Sequence, residues 1–164
     1  MPKNKLYIVL DNVRSRENVG SIFRTADAAG VSKIYFCGIT PIPPHEKISK
    51  TALGAEKWIP WEHHKQTWRL LKKLKNSRNF YDIAQKTRVY IVAIEQTKKS
   101  INIFDFKPKF PLVLVIGNEV KGLSPKILKY CDKIVSIPMF GKKKSLNVAV
   151  AFGIAVYAIT HKIS

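Results

Sequence analysis

Three features of the sequence predict an α/β domain, a parallel sheet with helices on both faces. Short apolar runs rich in Val, Ile and Tyr recur along the 164 residues, stretches with helical spacing separate most of them, and no repeat, low-complexity tract or linker divides the chain. Strands that are continuously apolar, rather than alternating, belong to sheets buried on both faces, and helical crossovers provide that cover. A chain of this length buries a core of its own, so one domain over 1–164 is expected.

Taken in order, "LYIVLD" (6–11) is the first strand, with no signal-peptide core before it. In "ENVGSIFRTADAAG", Val19, Ile22, Phe23, Ala26 and Gly30 recur at helical spacing. "KIYFCG" (33–38) is a second strand. "GITPIPPHEKISKTALGAEKWIPW" (38–61) carries four prolines and reads as a long ordered excursion above the sheet, at a strand's carboxyl end, where open parallel sheets bind ligands. "KQTWRLLKKLKNS" sets Trp68, Leu71 and Leu74 on one side of a helix and lysines on the other. "VYIVAIE" (89–95) and "LVLVIG" (112–117) are strands, "SPKILKYC" opens a helix with Ser-Pro, and "KIVSIP" (133–138) is a further strand. The turn "PMFGKKKSLN" (138–147) leads into an uncharged run, Val148 to Ile159, far shorter than the ~20 residues that span a bilayer. Being apolar all round, it is expected to be a fully buried helix.

Composition narrows the function. With 46% hydrophobic and 24% charged residues the chain is globular, and 29 Lys and Arg against 11 Asp and Glu give a net charge of +18. Such an excess points to a polyanionic partner, nucleic acid or membrane, and the shortness of the apolar run sets the membrane aside. Cys37 and Cys131 are too few for a disulfide scaffold and fit a reducing compartment, so a soluble, cytoplasmic protein is expected. His45, His63, His64 and His161 show no metal-ligand spacing, and no metal is expected. No serine sits in a G-x-S-x-G elbow.

Three stretches could carry chemistry. "LVLVIGNEVKGLS" nearly spells a phosphate-binding loop, but Leu123 stands where the lysine must be; what remains is a glycine turn presenting Glu119. "RENVGSIFRTADAAG" holds Asn18, Gly20 and Arg24. On one helix Asn18 and Arg24 point about 120° apart, so a shared task needs Asn18 in the preceding loop. A purely structural account also fits: Asn18 caps, Gly20 allows close packing, and Arg24 pairs with Asp27. In "FGKKKSLNVAVAFGIAVYAI", Ser145 could cap a helix with Asn147 in its first turn, the lysines being solvated. A helix N-terminus beside Lys142, Lys143 and Lys144 is also an anion site.

Together and in this order the stretches resemble the three motifs of the SpoU (TrmH-type) RNA 2′-O-ribose methyltransferases. "ENVGSIFRTADAAGV" resembles the first, "LVLVIGNEVKGLS" the second and "VSIPMFGKKKSLNVAVAFGIAVY" the third, and the match runs across nearly the whole chain. The resemblance implies a SPOUT fold whose C-terminal part is a deep trefoil knot holding S-adenosylmethionine, and a homodimer with active sites at the interface. It implies catalytic roles for Asn18, Arg24, Glu119, Ser145 and Asn147, and cofactor contacts from Gly117, Ile137 and Leu146, with Met139 and the strand end from Ala93 through Glu95 to Gln96 around the same pocket. Arg14, Arg16 and Lys142–Lys144 are expected to face RNA, tRNA or rRNA, with no separate RNA-binding extension. Methylation of a base nitrogen is the neighbouring alternative, against which the Ser-Leu-Asn of the third motif argues. A non-catalytic RNA-binding or ribosome-assembly factor is disfavoured by intact polar residues in all three motifs.

Overall fold

The computed structural model describes residues 4–77 and 88–163. Seven strands, β1 (Leu6–Asp11), β2 (Lys33–Cys37), β3 (Trp61–His64), β4 (Tyr90–Ile94), β5 (Ile101–Asn102), β6 (Leu112–Gly117) and β7 (Lys133–Ser136), form one sheet in the order β3-β2-β1-β6-β4-β7-β5. Every pairing is parallel. The helices are α1 (Arg16–Ala28), α2 (Glu46–Ala52), α3 (Thr67–Asn76), α4 (Pro125–Leu128) and α5 (Val148–Thr160).

The continuous apolar strands behave as parallel strands should. All six residues of β1 are buried, and alternate side chains enter two separate cores. Ile8 and Leu10 face a core shared with α1, α2 and α5; Tyr7 and Val9 face one shared with α3 and α4. Helices therefore cover both faces.

Helix α1 starts at Arg16 because Ser15 takes the N-cap, its hydroxyl accepting the Asn18 N–H at 3.1 Å. Val19, Ile22, Phe23 and Ala26 form its buried stripe. Gly30 is not on that stripe; it lies beyond the helix at φ +73°, where glycine reverses the chain without steric cost. The 38–61 segment also differs from expectation. It is no loop above the sheet but a crossover whose helix α2 packs on α1 and whose last residue opens β3. Gly20 permits this approach: a Cβ there would overlap the Ile48 carbonyl and the Thr51 hydroxyl of α2. In α3 the buried side chains are Thr67, Leu70, Leu71 and Leu74, with Trp68 half-buried at the edge.

Strand β6 is inserted between β1 and β4, and β7 lies beyond β4. From β7 the chain returns across the strand ends and enters α5, which packs against α1 on the opposite half of the sheet. A C-terminal knot requires such a return. Helix α5 is not fully buried: Phe152, Ala155, Val156 and Ile159 are enclosed, but Val150 and Tyr157 are 51% and 49% exposed. An apolar helix apolar on all sides has left one face uncovered. Among the described residues no helix is long and apolar enough to cross a membrane.

Candidate active site

Register aligns the carboxyl ends of four strands. Asp11 pairs with Gly117, Ile94 with Ile116, and Ile94 also with Val135. Just past this row lies a cavity of about 420 Å³. Ile94, Ile116, Ile137, Met139, Leu146 and Ala151 give it apolar walls, while Glu119, Ser145 and Lys144 stand among its polar lining. This is the strand-end position at which open parallel sheets bind ligands.

After β6 the chain turns sharply on Asn118. Its side-chain oxygen accepts the Val120 and Lys121 N–H groups at 2.8 and 3.2 Å, and its amide donates to the Asn12 carbonyl at 3.2 Å. Gly122 closes the turn at φ +63°, where a Cβ would strike the Glu95 carboxylate. That carboxylate accepts the Leu123 N–H at 2.8 Å and the Gln96 N–H at 3.1 Å. Glu95 thus fastens the floor of the cavity to the turn. Asn118 lines the cavity and was not among the expected residues, whereas Gln96, at the end of the strand segment expected there, also lines it, its amide donating to the Ile137 carbonyl at 2.9 Å. An asparagine directly after a strand and before a glycine turn was the available signal for Asn118.

The turn delivers Glu119 to the mouth of the cavity. Its Oε1 accepts from the Asn18 amide at 3.3 Å and from the Val148 N–H, in the first turn of α5, at 3.4 Å. The Asn147 amide donates to Asn18 Oδ1 at 3.2 Å. One residue from each motif therefore meets in a single chain of hydrogen bonds, with the carboxylate at the positive end of α5. Two expectations change. Asn18 works from the first turn of α1 rather than from the loop, because Ser15 has taken the cap. Asn147 rather than Ser145 caps α5, accepting the Ala149 and Val150 N–H groups at 2.9 and 3.3 Å.

The remaining expected residues divide. Gly117, Ile137, Met139, Leu146 and Ser145 line the cavity, as does Glu95. Ala93 does not: strand alternation turns it into the core beneath α3, with Ile91. Arg24 does not reach the cavity either. It lines a recess with Thr25, Lys50, Thr51 and Tyr157, about 120° around α1 from Asn18. Its expected ion pair with Asp27 is absent, because Asp27 Oδ1 accepts the Trp58 indole N–H at 2.8 Å. Lys142 and Lys143 are exposed on the loop before α5, and Lys144 reaches the rim of the cavity. Arg16 is exposed in the first turn of α1, and Arg14 lines an adjoining recess with Asn118 and Lys121.

Buried Cys37, half-buried Cys131 and buried Asp11 take no part in the cavity. Burial pushes Cys37 and Cys131 up to about 12, so both are inert thiols. Asp11 is raised by burial, partly offset by the hydroxyl bond from Thr67.

Comparison with known proteins places this geometry. The SpoU rRNA Methylase family model matches residues 5–157. The tRNA (guanosine(18)-2′-O)-methyltransferase of Aquifex aeolicus is 35% identical over 158 residues, 93% of this chain and 67% of its own. The 23S rRNA (guanosine-2′-O-)-methyltransferase RlmB of Haemophilus influenzae is 33% identical, covering 98% of this chain and 61% of its own. The structure of the SpoU methyltransferase AviRb from Streptomyces viridochromogenes, in complex with AdoMet, superposes with a TM-score of 0.85 at 28% identity, over 99% of this chain and 62% of that one. The chain thus spans about two thirds or less of the length of these proteins. With the family model covering nearly every described residue, and a residue from each of three motifs joined at one cavity mouth, the chain belongs to the SpoU rRNA Methylase family.

Proposed function

We propose that this chain binds S-adenosylmethionine in the strand-end cavity and methylates a ribose 2′-hydroxyl of tRNA or rRNA, acting as a homodimer. The Glu119–Asn18–Asn147 chain of hydrogen bonds, at the mouth of an apolar cavity and beside three exposed lysines, carries the reading. It is supported by two relatives named as guanosine 2′-O-methyltransferases and by AdoMet in the AviRb structure.

The cavity suits the cofactor. Its volume of about 420 Å³ falls in the range of small-molecule sites. Apolar walls at Ile116, Ile137 and Leu146 fit a nucleoside, and the polar edge at Glu119 and Ser145 fits a charged amino-acid tail. When bound, S-adenosylmethionine supplies a methyl group on a sulfonium, a leaving group that needs no further activation. What remains for the chain is to align the hydroxyl and to stabilise negative charge on its oxygen as the proton leaves for phosphate or water. Glu119, held by Asn18 and by the α5 amide, and Ser145 at the rim orient the ribose. Arg24 binds the neighbouring phosphate and the developing alkoxide, since a guanidinium donates hydrogen bonds and does not accept protons.

Within one chain Arg24 is not at the cavity, and the dimer resolves this. Helix α5 has its N-terminus at the cavity and Tyr157, beside Arg24, near its other end. A two-fold contact along the uncovered Val150–Tyr157 face, with the helices antiparallel, sets the Arg24 end of one copy against the cavity end of the other.

The test is methyl transfer from labelled S-adenosylmethionine to unmodified tRNA and rRNA pools, followed by nucleoside mass spectrometry. A 2′-O-methylated nucleoside is expected, and Arg24→Ala should reduce it by about 10²-fold or more while cofactor affinity stays within about twofold of the original. A base-methylated product would overturn the ribose chemistry. Saturable cofactor binding with no product from either pool would favour a non-catalytic RNA-binding factor.

A further inference from the structure

One cluster of positive charge lies on the face of the sheet opposite α1 and α5. Arg69 and Lys73 stand one turn apart on α3 with Lys72 beside them, Lys65 borders the same recess from the loop before the helix, and all four are exposed. Like charges so spaced weaken a helix, and α3 contains no acidic residue to relieve them. The nearby carboxylates are already engaged. Glu62 pairs with Lys33 and His64, and Asp132 pairs with Lys75 at 3.0 Å. The row borders a recess of about 280 Å³ formed with His64, Gln66 and Leu70. Trp68 holds a further cation alongside: Lys126 Nζ of α4 lies 3.9 Å from its ring centre, and Arg69 Cζ lies 5.2 Å away.

This row begins just past the carboxyl end of β3, at the same end of the sheet as the cavity. Between the two lies a second recess, of about 370 Å³, bordered by Arg14 and Lys121 and floored by Ile127, the neighbour of Lys126. It shares Asn118, Lys121 and Gly122 with the cavity. Lys144 and Lys121 therefore line the cavity, Lys121 and Arg14 the second recess, and Lys126 lies over Trp68 beside the α3 row.

We propose that the α3–α4 face is a second RNA-binding surface, gripping the phosphate backbone of the substrate away from the reacting ribose. This rests on the reading of the chain as an RNA methyltransferase. A polyanion matches a row of exposed cations, from Lys65 through Arg69 to Lys73, that no carboxylate of α3 offsets. A lipid surface would call for exposed apolar side chains among the lysines, and the exposed residues of the row, Lys65, Gln66, Arg69, Lys72 and Lys73, include none. Since the face lies across the sheet from the uncovered stripe of α5, dimerisation through α5 leaves it open to RNA.

The test compares two triple variants that remove equal charge. Lys65→Ala/Arg69→Ala/Lys73→Ala takes it from the row; Lys47→Ala/Lys57→Ala/Lys107→Ala takes it from elsewhere on the surface. Dissociation constants for unmodified tRNA and rRNA transcripts are measured across a salt series, with methyl transfer at saturating RNA and with S-adenosylmethionine affinity. The row variant should bind RNA about tenfold or more weakly, and the slope of log affinity against log salt should be shallower by about 2. Its saturated rate and cofactor affinity should be unchanged, and the control triple should shift RNA affinity by about twofold at most. Equal losses in both triples would reduce the effect to net charge and overturn the proposal. So would unchanged RNA affinity with lost binding to vesicles of anionic phospholipid, which would assign the face to lipid. An original chain that binds RNA but transfers no methyl would count against the enzyme reading alone, since the two affinities still decide the face. If the row triple does not fold, Lys65→Ala and Lys73→Ala singly should each make the slope shallower by about 0.7 to 0.9.

Discussion

Glu119 meets Asn18 and the α5 amide at the cavity mouth, and Asn18 meets Asn147 in turn. The three residues were legible in sequence as motif positions, because motif spacing preserves residue type. Their contacts were not, since they join positions more than a hundred residues apart. Arg24 shows the same limit from the other side. Its local partner at helical spacing, Asp27, is taken by Trp58, which only the packing of the 38–61 segment brings near. Asp11 offers a test at this scale. Burial raises its carboxyl above the ordinary value of 3.8, and Thr67 only partly compensates. A raised acid favours the fold while protonated, so that stability is present below the unfolded value and is lost as pH rises through the folded one. Asp11→Asn keeps an acceptor for Thr67 and removes the buried charge. Its melting temperature should exceed that of the original chain at neutral pH, and the gap should close as pH falls below the ordinary carboxylate value. A gap independent of pH would show that ionisation is not its cause.

Among the elements, the long buried strands and the helix of the first motif followed from sequence because each has a single dominant periodicity. Helix α2 and strand β3 did not. Prolines dominate the composition of 38–61, and β3 is a short edge strand with two exposed residues, so neither has a strong apolar pattern. Strand β5, two residues long, carries no pattern at all. The approach of α2 to α1 turns on Gly20, whose missing side chain is filled by the α2 backbone. Gly20→Ala pushes a methyl group against the Thr51 hydroxyl and also against the Ile48 carbonyl, which cannot rotate away. It should cost about 1–3 kcal/mol, near the upper end, and lower the melting temperature by about 5–10 °C in calorimetry. A shift of about 1 °C or less would mean that the two helices separate freely.

At the level of the whole molecule, the charge excess was readable as a total but not as a distribution. Which cations share a face depends on how α3 and α4 pack, and Arg69 and Lys126 meet at one tryptophan only in three dimensions. Assembly is testable by mixing two inactive variants, Arg24→Ala and Glu119→Ala, under conditions that exchange subunits. If Arg24 serves the partner's cavity, half of the dimers are mixed and each has one complete site, so about a quarter of the original methyl transfer should return. A mixture as inactive as its components would place Arg24 and Glu119 in the same site of one chain.

The sheet order also sets a timetable for synthesis. Strand β1 is made first and lies between β2 and β6, yet Leu6 waits for Leu112 before its second edge is paired. At translation rates of about 5–20 residues per second, that interval lasts on the order of 5–20 s. Throughout it the ribosome displays a strand that is apolar on both faces and has one open row of backbone donors and acceptors. A nascent chain halted before β6 is therefore a natural client for chaperones, and a source of aggregates wherever they are scarce.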